Sequence, residues 1–534
     1  MPDVDIRIDG ATIVDGTGAD PRAGSVGVRD GRLVVPADGA STRRVIDAAG
    51  AVVSPGFIDL HSHADFSLPA YPGALAAISQ GVTTLVTGNC GFSPFPCPPA
   101  RSQDIQQATK FIDQGLDWER CATAADFLDY VDSTEPACNV ALQVGLGTVR
   151  LAAMGFDRRE ATEAETETMR DAVAAAFTAG VVGVSSGLVY APGTYAPSHE
   201  VARLVAVAAA HGGFYSTHIR NEGPSLLEAM EEAIVIASSA GVALQLSHHK
   251  ALGRANWGSV VESLARIDSA RDAGIDVSAD AYPYRAGSTG LTQILPARVL
   301  EGGVQQMQRM LDDPVERERI RHEILAVNAP REFDPAGILL ACVPEGPNKP
   351  FEGRYLADIA AELGSDPLDT ALTLIAEEAA GITMVVFGMS EADVRRVLAH
   401  RAVAVASDGW TLDPGAAGMP HPRNYGTFTR VLGHYVRDEG VLTLPAAIHK
   451  MTQMPAQRLG WTRRGVLRDG GVADLVVLDP TTVADRATFA DPHQLSAGIT
   501  HVFVGGRPVF EEGEPTGLRP GRVSTLERRS DPIE

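Results

Sequence analysis

His61 and His63 stand two apart in the stretch Gly56-Phe-Ile-Asp-Leu-His-Ser-His-Ala-Asp65. Side chains two apart on a strand leave the same face. Ile58 and Leu60 alternate with Asp59, His61 and His63, so the stretch predicts a strand with both imidazoles at its carboxyl end. Two imidazoles converging on one point suit a borderline metal such as zinc. Taken alone, the pair also fits a polar loop. Four further residues with metal-ligand chemistry, Cys90, His218, His248 and Asp408, sit where other short apolar runs end. Each has an everyday reading: a free cysteine is commonly a small buried hydrophobe, and the Asp of Ser407-Asp-Gly409 could be a turn residue. Together they put imidazole, thiol and carboxylate donors at five strand ends, and metal coordination is the chemistry that uses all of them.

The elements that position these residues follow one repeating pattern. A helix-like run ends, a glycine follows as a left-handed cap, and a short apolar strand closes on polar residues. Gly81 to Cys90, Gly183 to Tyr190, Gly213 to His218, Gly241 to His248, Gly274 to Asp280 and Ala402 to Asp408 all read this way. Alanine-rich amphipathic stretches at 159–179, 198–211 and 259–272 lie between strands. Near-continuous apolar strands alternating with helices mean a buried parallel sheet. Strands are expected near 56–62, 82–88, 139–145, 181–187, 213–218, 242–248, 275–281 and 402–408. Eight strands fit a closed (β/α)8 TIM-like barrel, whose active site lies at the strands' carboxyl ends. Residues 285–348 interrupt the pattern, and the extra strand-like run Ile382 to Gly388 is placed outside the ring. The flanks 1–54 and 463–534 read as short strands and turns, and predict one small β-sandwich domain built from both termini. The barrel then occupies 55–462, with an insertion at about 285–348.

Composition narrows the function. The chain has 534 residues, 45% apolar and 21% charged, an ordinary globular balance. Its net charge of −22 argues against nucleic acid or an anionic membrane as partner, but leaves room for a small anion held by a local cation. No apolar run is long enough for a membrane span, and Met-Pro-Asp-Val-Asp-Ile at the start is no signal peptide. The five cysteines carry no disulfide pattern, so a reduced, cytoplasmic protein is expected. Lysine is nearly absent (Lys110, Lys250, Lys349 and Lys450), and one of the four stands two residues past His248. The sequence sets no oligomeric state.

His-x-His on the first strand, histidines on the fifth and sixth and Asp on the eighth resemble the amidohydrolase superfamily. Thr87-Gly-Asn-Cys-Gly-Phe92, Ser216-Thr-His-Ile-Arg-Asn-Glu222, Ser247-His-His-Lys250, Asp280-Ala-Tyr-Pro-Tyr284 and His421-Pro-Arg-Asn-Tyr-Gly426 resemble the N-acyl-D-amino-acid deacylases within it. The resemblance runs over nearly the whole chain. It implies a zinc hydrolase that cleaves the amide of a small N-acyl-D-amino acid. It implies one tight Zn2+ on Cys90, His218 and His248, with His61, His63 and Asp408 forming or bordering a second, weaker position. Many binuclear amidohydrolases bridge their metals with a lysine at the end of strand four; Gly183 to Tyr190 contains none, so a Cys90 thiolate is the expected bridge. Asp408 is expected to act as general base and then general acid. Lys250, with Tyr190, Tyr282 and Ser288, is expected to hold the substrate carboxylate.

Two residues depart from the family pattern. Leu146 replaces a histidine on strand three and is expected to alter substrate orientation. Arg285 replaces a small residue and is expected to narrow the pocket or favour an acidic side chain. The alternatives are a cyclic amidase or deaminase on the same barrel, and a non-catalytic binding relative. The first would want the missing lysine, a deaminase would ordinarily bind one metal without Cys90, and the intact ligand set argues against the last.

Overall fold

The computed structural model describes residues 3–326 and 332–527; the remainder of the expected ranges lies outside the described residues. Eight short parallel strands form the central sheet: β1 (Phe57–Asp59), β2 (Val82–Thr87), β3 (Asn139–Gly145), β4 (Gly183–Gly187), β5 (Phe214–His218), β6 (Leu244–Leu246), β7 (Val277–Ala281) and β8 (Val403–Val405). They pair in chain order, and every residue in them is buried. Burial on both faces is why they read as apolar runs rather than alternating ones. The ring closes between β8 and β1. The Asp408 N–H donates to the His61 carbonyl at 2.7 Å, and the His63 N–H to the Gly409 carbonyl at 2.7 Å. The same two hydrogen bonds bring the first and last candidate ligands side by side.

Helices cover the sheet, and their ends follow from local sequence. Thr162 caps Glu163–Ala179 in a reciprocal box with Glu165, and Gly180 ends it. Ser198–Ala210, Leu226–Ala240 and Val260–Asp272 follow β4, β5 and β6 in turn. The main core runs continuously from these helices into the barrel strands, through Val173, Val205, Ile234 and Ile267 among others.

Strands from both ends of the chain build one nine-stranded sheet, joined where Val52–Pro55 pairs antiparallel with Leu475–Leu478. Ile8, Ile13, Val28, Val477 and Phe503 share its core. The C-terminal flank does not stay with that sheet. Val523 bridges Val140 of β3, and the Trp461 indole N–H donates to the Thr525 carbonyl at 2.9 Å, so the tail returns to the barrel.

The insertion after β7 is longer than the sequence pattern suggested. Ala286–Gly290, Ile338–Cys342 and Thr383–Phe387 form a separate three-stranded antiparallel sheet. The surplus strand is therefore outside the ring, as expected, but it belongs to the insertion, which reaches 387 rather than about 348. The insertion has its own core, in which Met307, Ile320, Leu340, Leu372 and Met384 are buried.

Candidate metal centre

The strand ends converge. His61, His63, Cys90 and Asp408 each offer a ligand atom within 4.8 Å of the others, and so do Cys90, His218 and His248, so the Cys90 thiol belongs to both groups. Cys90 Sγ lies 3.3 Å from His61 Nε2 and 3.4 Å from His248 Nε2. Asp408 Oδ1 lies 3.3 Å from His61 Nε2 and 3.2 Å from His63 Nε2. All six side chains are buried.

The backbone is bent to achieve this. Cys90 (φ 55°), His248 (φ 36°) and Asp408 (φ 52°) adopt the left-handed region, which costs a non-glycine residue free energy and persists where the surroundings enforce it. Glycines flank Cys90 for a related reason. Gly88 and Gly91 both have positive φ; a Cβ on Gly88 would strike the Gln143 carbonyl, and one on Gly91 would come within 2.6 Å of the Gly187 nitrogen. Thr87-Gly-Asn-Cys-Gly-Phe92 is thus a tight turn pressed against β3 and β4, with the thiol directed inward.

Charge reinforces the geometry. Burial alone would raise the Cys90 thiol, but the His61 and His248 imidazoles outweigh it and hold the thiol well below its ordinary range, as a thiolate. Burial alone would depress His63; the Asp408 carboxylate and Cys90 reverse that and lift it to about 9. Burial keeps His218 below its ordinary value and hence neutral. Neither ring nitrogen of His218 has a hydrogen-bond partner, although both are buried. Its nearest carboxylate, Glu222 Oε2, is 3.7 Å from Nε2, and a buried imidazole that makes no hydrogen bond is costly unless something else engages it. A zinc ion fits that requirement, and the mixed N, S and O donor set suits zinc.

Surrounding residues aim the ligands. Asp280 Oδ1 lies 3.0 Å from His61 Nδ1 and accepts from the His248 N–H at 2.7 Å. Glu222 Oε1 lies 3.0 Å from His248 Nδ1 and 2.5 Å from Lys250 Nζ. Lys250 Nζ is itself 2.7 Å from His248 Nδ1. That nitrogen either donates to Glu222 or accepts from Lys250. Only the first tautomer leaves Nε2 with the lone pair that faces Cys90. Burial would push the Glu222 carboxyl up; Lys250 and the two imidazoles hold it well below the usual carboxylate range. Asp408 behaves similarly: Arg423, whose Nη1 lies 2.7 Å from Oδ2, outweighs burial and holds the carboxyl low.

A cavity of about 640 Å3, part of it open to solvent, lies over the centre. His63, His218, His248 and Asp408 reach it, as do Lys250, Tyr190, Tyr282 and Ser288. His61 and Cys90 lie beneath, at 0% and 2% exposure, and do not line it. The insertion supplies one wall through Gly287, Ser288, Thr289, Thr383 and Val386. Glu222 and Arg423 were absent from the sequence-based site, and both line the cavity. The scarcity of lysine had singled out Lys250, and the counter-charge a buried lysine demands was the available signal for Glu222. Arg220, by contrast, ion-pairs with Glu232 at 2.8 Å and does not line the cavity.

The structure places the two departures from the family pattern, and corrects the expectation for Arg285. Leu146 packs into the main hydrophobic core and does not line the cavity. Arg285 does not line it either; its side chain is 64% exposed and points toward Glu391, with Nε 3.9 Å from Oε2.

A family model described as "Amidohydrolase family" matches residues 44–510. The chain is 39% identical to a D-aminoacylase of Alcaligenes xylosoxydans xylosoxydans, over 97% of each sequence. It is 38% identical to an N-acyl-D-glutamate deacylase of the same organism, over 97% of this chain and 96% of the relative. A crystal structure of N-acyl-D-glutamate deacylase from Bordetella bronchiseptica, complexed with zinc and a phosphonate mimic of the tetrahedral intermediate, superposes with a TM-score of 0.84 at 37% identity. It covers 98% of this chain and 100% of that one. The chain belongs to the amidohydrolase family.

Proposed function

We propose that this protein is a zinc-dependent deacylase of N-acyl-D-amino acids, releasing a carboxylate and a free D-amino acid. The observation that carries the proposal is the sharing of the Cys90 thiol by two ligand groups at the floor of one cavity. Relatives of nearly the same length that act as D-aminoacylase and N-acyl-D-glutamate deacylase support it. Cys90, His218 and His248 would hold the tight zinc; His61, His63 and Asp408 would form or border a second, weaker position. When bound, zinc supplies Lewis-acid polarisation of the acyl carbonyl and lowers the pKa of water toward about 7.

The protein's own residues do the rest. Asp408 stands at the cavity floor with Oδ1 toward the imidazoles, and takes the proton of the attacking water. It then delivers that proton to the leaving amine nitrogen, which must depart neutral. Arg423 orients its carboxylate through Oδ2 and keeps it ionised. Burial keeps the Tyr282 phenol protonated, so it enters the cavity as a hydrogen-bond donor. Lys250, with Tyr190, Tyr282 and Ser288, holds the α-carboxylate from the cavity side. The end of β4 carries no lysine, which a cyclic amidase would want as a bridging ligand, and the Cys90 thiolate would be the shared anionic ligand instead; both speak against the cyclic-amidase and deaminase alternatives. Among the described residues no helix is long and apolar enough to cross a membrane.

The test is release of D-leucine from N-acetyl-D-leucine by purified protein. Release that stops on chelation and returns with added zinc is the expected result. Undiminished release from thoroughly metal-free protein, or no release from any N-acetyl-D-amino acid by zinc-loaded protein, would refute the proposal.

A further inference from the structure

The cavity also specifies how many carboxylates its substrate carries. Apart from the candidate metal-binding histidines, the described residues that line it include two basic side chains, Lys250 and Arg423, and two acidic ones, Glu222 and Asp408. They are already matched in two buried pairs. Lys250 Nζ lies 2.5 Å from Glu222, and Arg423 Nη1 lies 2.7 Å from Asp408, with all four side chains between 7% and 9% exposed. No third lysine or arginine is among the described residues that line the cavity.

Both cations also address one place. Lys250 Nζ sits 5.6 Å and Arg423 Cζ 5.0 Å from the centroid of the same Tyr282 ring. Arg423 Nε is buried there without a hydrogen-bond partner, a donor that an incoming anion would satisfy. This corner accommodates one carboxylate, the one every N-acyl amino acid has. Much of the remaining lining is apolar. Phe92, Phe111, Ile112 and Trp410 belong to one contiguous cluster, with the Phe92 and Phe111 rings 5.8 Å apart, and Leu252 and Val386 add to the apolar lining. The arginine that would have suited an acidic side chain, Arg285, lies outside the cavity beside Glu391.

We infer that the side-chain specificity of this enzyme is for uncharged, apolar D-amino acids, and that it discriminates against D-glutamate and D-aspartate. This rests on the deacylase reading and sharpens it, since relatives of comparable identity include both a D-aminoacylase and an N-acyl-D-glutamate deacylase. A dianionic substrate seats its α-carboxylate at the Lys250–Arg423 corner. Its second carboxylate then meets the aromatic and aliphatic wall and neutral hydroxyls such as those of Thr289 and Thr383, with no further lysine or arginine to pair it, and a charge without a counter-ion in such surroundings is strongly disfavoured. The expected discrimination is about a hundredfold or more in kcat/KM.

The experiment compares kcat/KM of the zinc-loaded protein on N-acetyl-D-leucine, -methionine, -phenylalanine, -glutamine, -glutamate and -aspartate. Glutamine and glutamate differ in charge at nearly constant shape, so their ratio isolates the electrostatic cause from size. The expected order places leucine, methionine and phenylalanine first, glutamine below them, and glutamate and aspartate at least about a hundredfold below leucine. Glutamate or aspartate within tenfold of leucine, or glutamate equal to glutamine, overturns the inference while leaving deacylation standing. No turnover of any of the six overturns the deacylase reading and this inference with it.

Discussion

Replacing Glu222 by Gln removes one negative charge at nearly constant volume. Oε1 of Glu222 accepts from Lys250 Nζ at 2.5 Å and from His248 Nδ1 at 3.0 Å, and both partners are almost fully buried. An amide oxygen can still accept from both, but the ammonium then sits in the interior without a counter-ion. Breaking a buried ion pair by removing one partner costs about 3–5 kcal/mol. The retained acceptor puts the expected loss near the lower end, about 3 kcal/mol. The double variant Glu222→Gln/Lys250→Met removes the unpaired charge and should recover most of that loss, giving a coupling of about 2 kcal/mol or more. Urea unfolding at fixed zinc concentration, followed by intrinsic fluorescence, measures the cycle. The double variant separates two roles of Lys250: stability should return while activity does not, because the ammonium that holds the substrate carboxylate is gone. A Glu222→Gln protein within about 0.5 kcal/mol of wild type, or a double variant no more stable than the single one, would refute the argument.

Three other expectations follow from the same structure. Cys90→Ala removes the donor common to both ligand groups and should lose the tight zinc; metal analysis showing about one zinc per chain in that variant would contradict the assignment. Asp408→Asn should keep the tight zinc and lose roughly 10²–10⁴-fold in kcat, the usual range for a general acid–base, and near-normal turnover would mean another group moves the proton. Lys450 provides a pH test away from the metal. Burial lowers its pKa from 10.5 to about 8, while its ammonium donates to the carbonyls of His400 and Val403. Below pH 8 both folded and unfolded forms are protonated and the burial penalty is fully present. Between about 8 and 10.5 the unfolded chain binds the extra proton, so stability relative to Lys450→Met should rise with pH, by up to roughly 3 kcal/mol. A difference that stays flat or falls across that range would show that the two carbonyls keep the lysine charged.

The parts of this molecule legible in the sequence are those with a local cause. Buried parallel strands need apolar side chains on both faces, so β2, β3 and β8 stand out as short runs, and their polar terminators mark the carboxyl ends. That is why Cys90, His218, His248 and Asp408 could be picked out by type and position. The extent of the insertion has no such local cause. Thr383–Phe387 reads only as a surplus strand, and its antiparallel pairing with Ala286–Gly290, nearly a hundred residues earlier, and with Ile338–Cys342 is what assigns it to the insertion. Arg423 was equally opaque, because its partnership with Asp408 exists only once the chain after β8 folds back over the cavity. Leu146 and Arg285 show the converse. Both were singled out by the family resemblance, yet one turns into the core and the other out toward Glu391. Sequence position identifies which strand end a residue occupies, whereas the direction of its side chain depends on packing with distant elements.

The central claim is that a carboxylate anchor, a carbonyl-activating centre and a pocket for the side chain fix the substrate at three points, so that only one enantiomer presents its amide. Three points around the α-carbon are then defined, and the wrong hand places its side chain where Lys250 and Arg423 require the carboxylate. The direct measurement is chiral analysis of racemic N-acetyl-leucine incubated to completion with zinc-loaded protein. The account predicts that conversion halts at half, with only D-leucine released and N-acetyl-L-leucine left intact. Conversion of both enantiomers, or release of L-leucine alone, would contradict it.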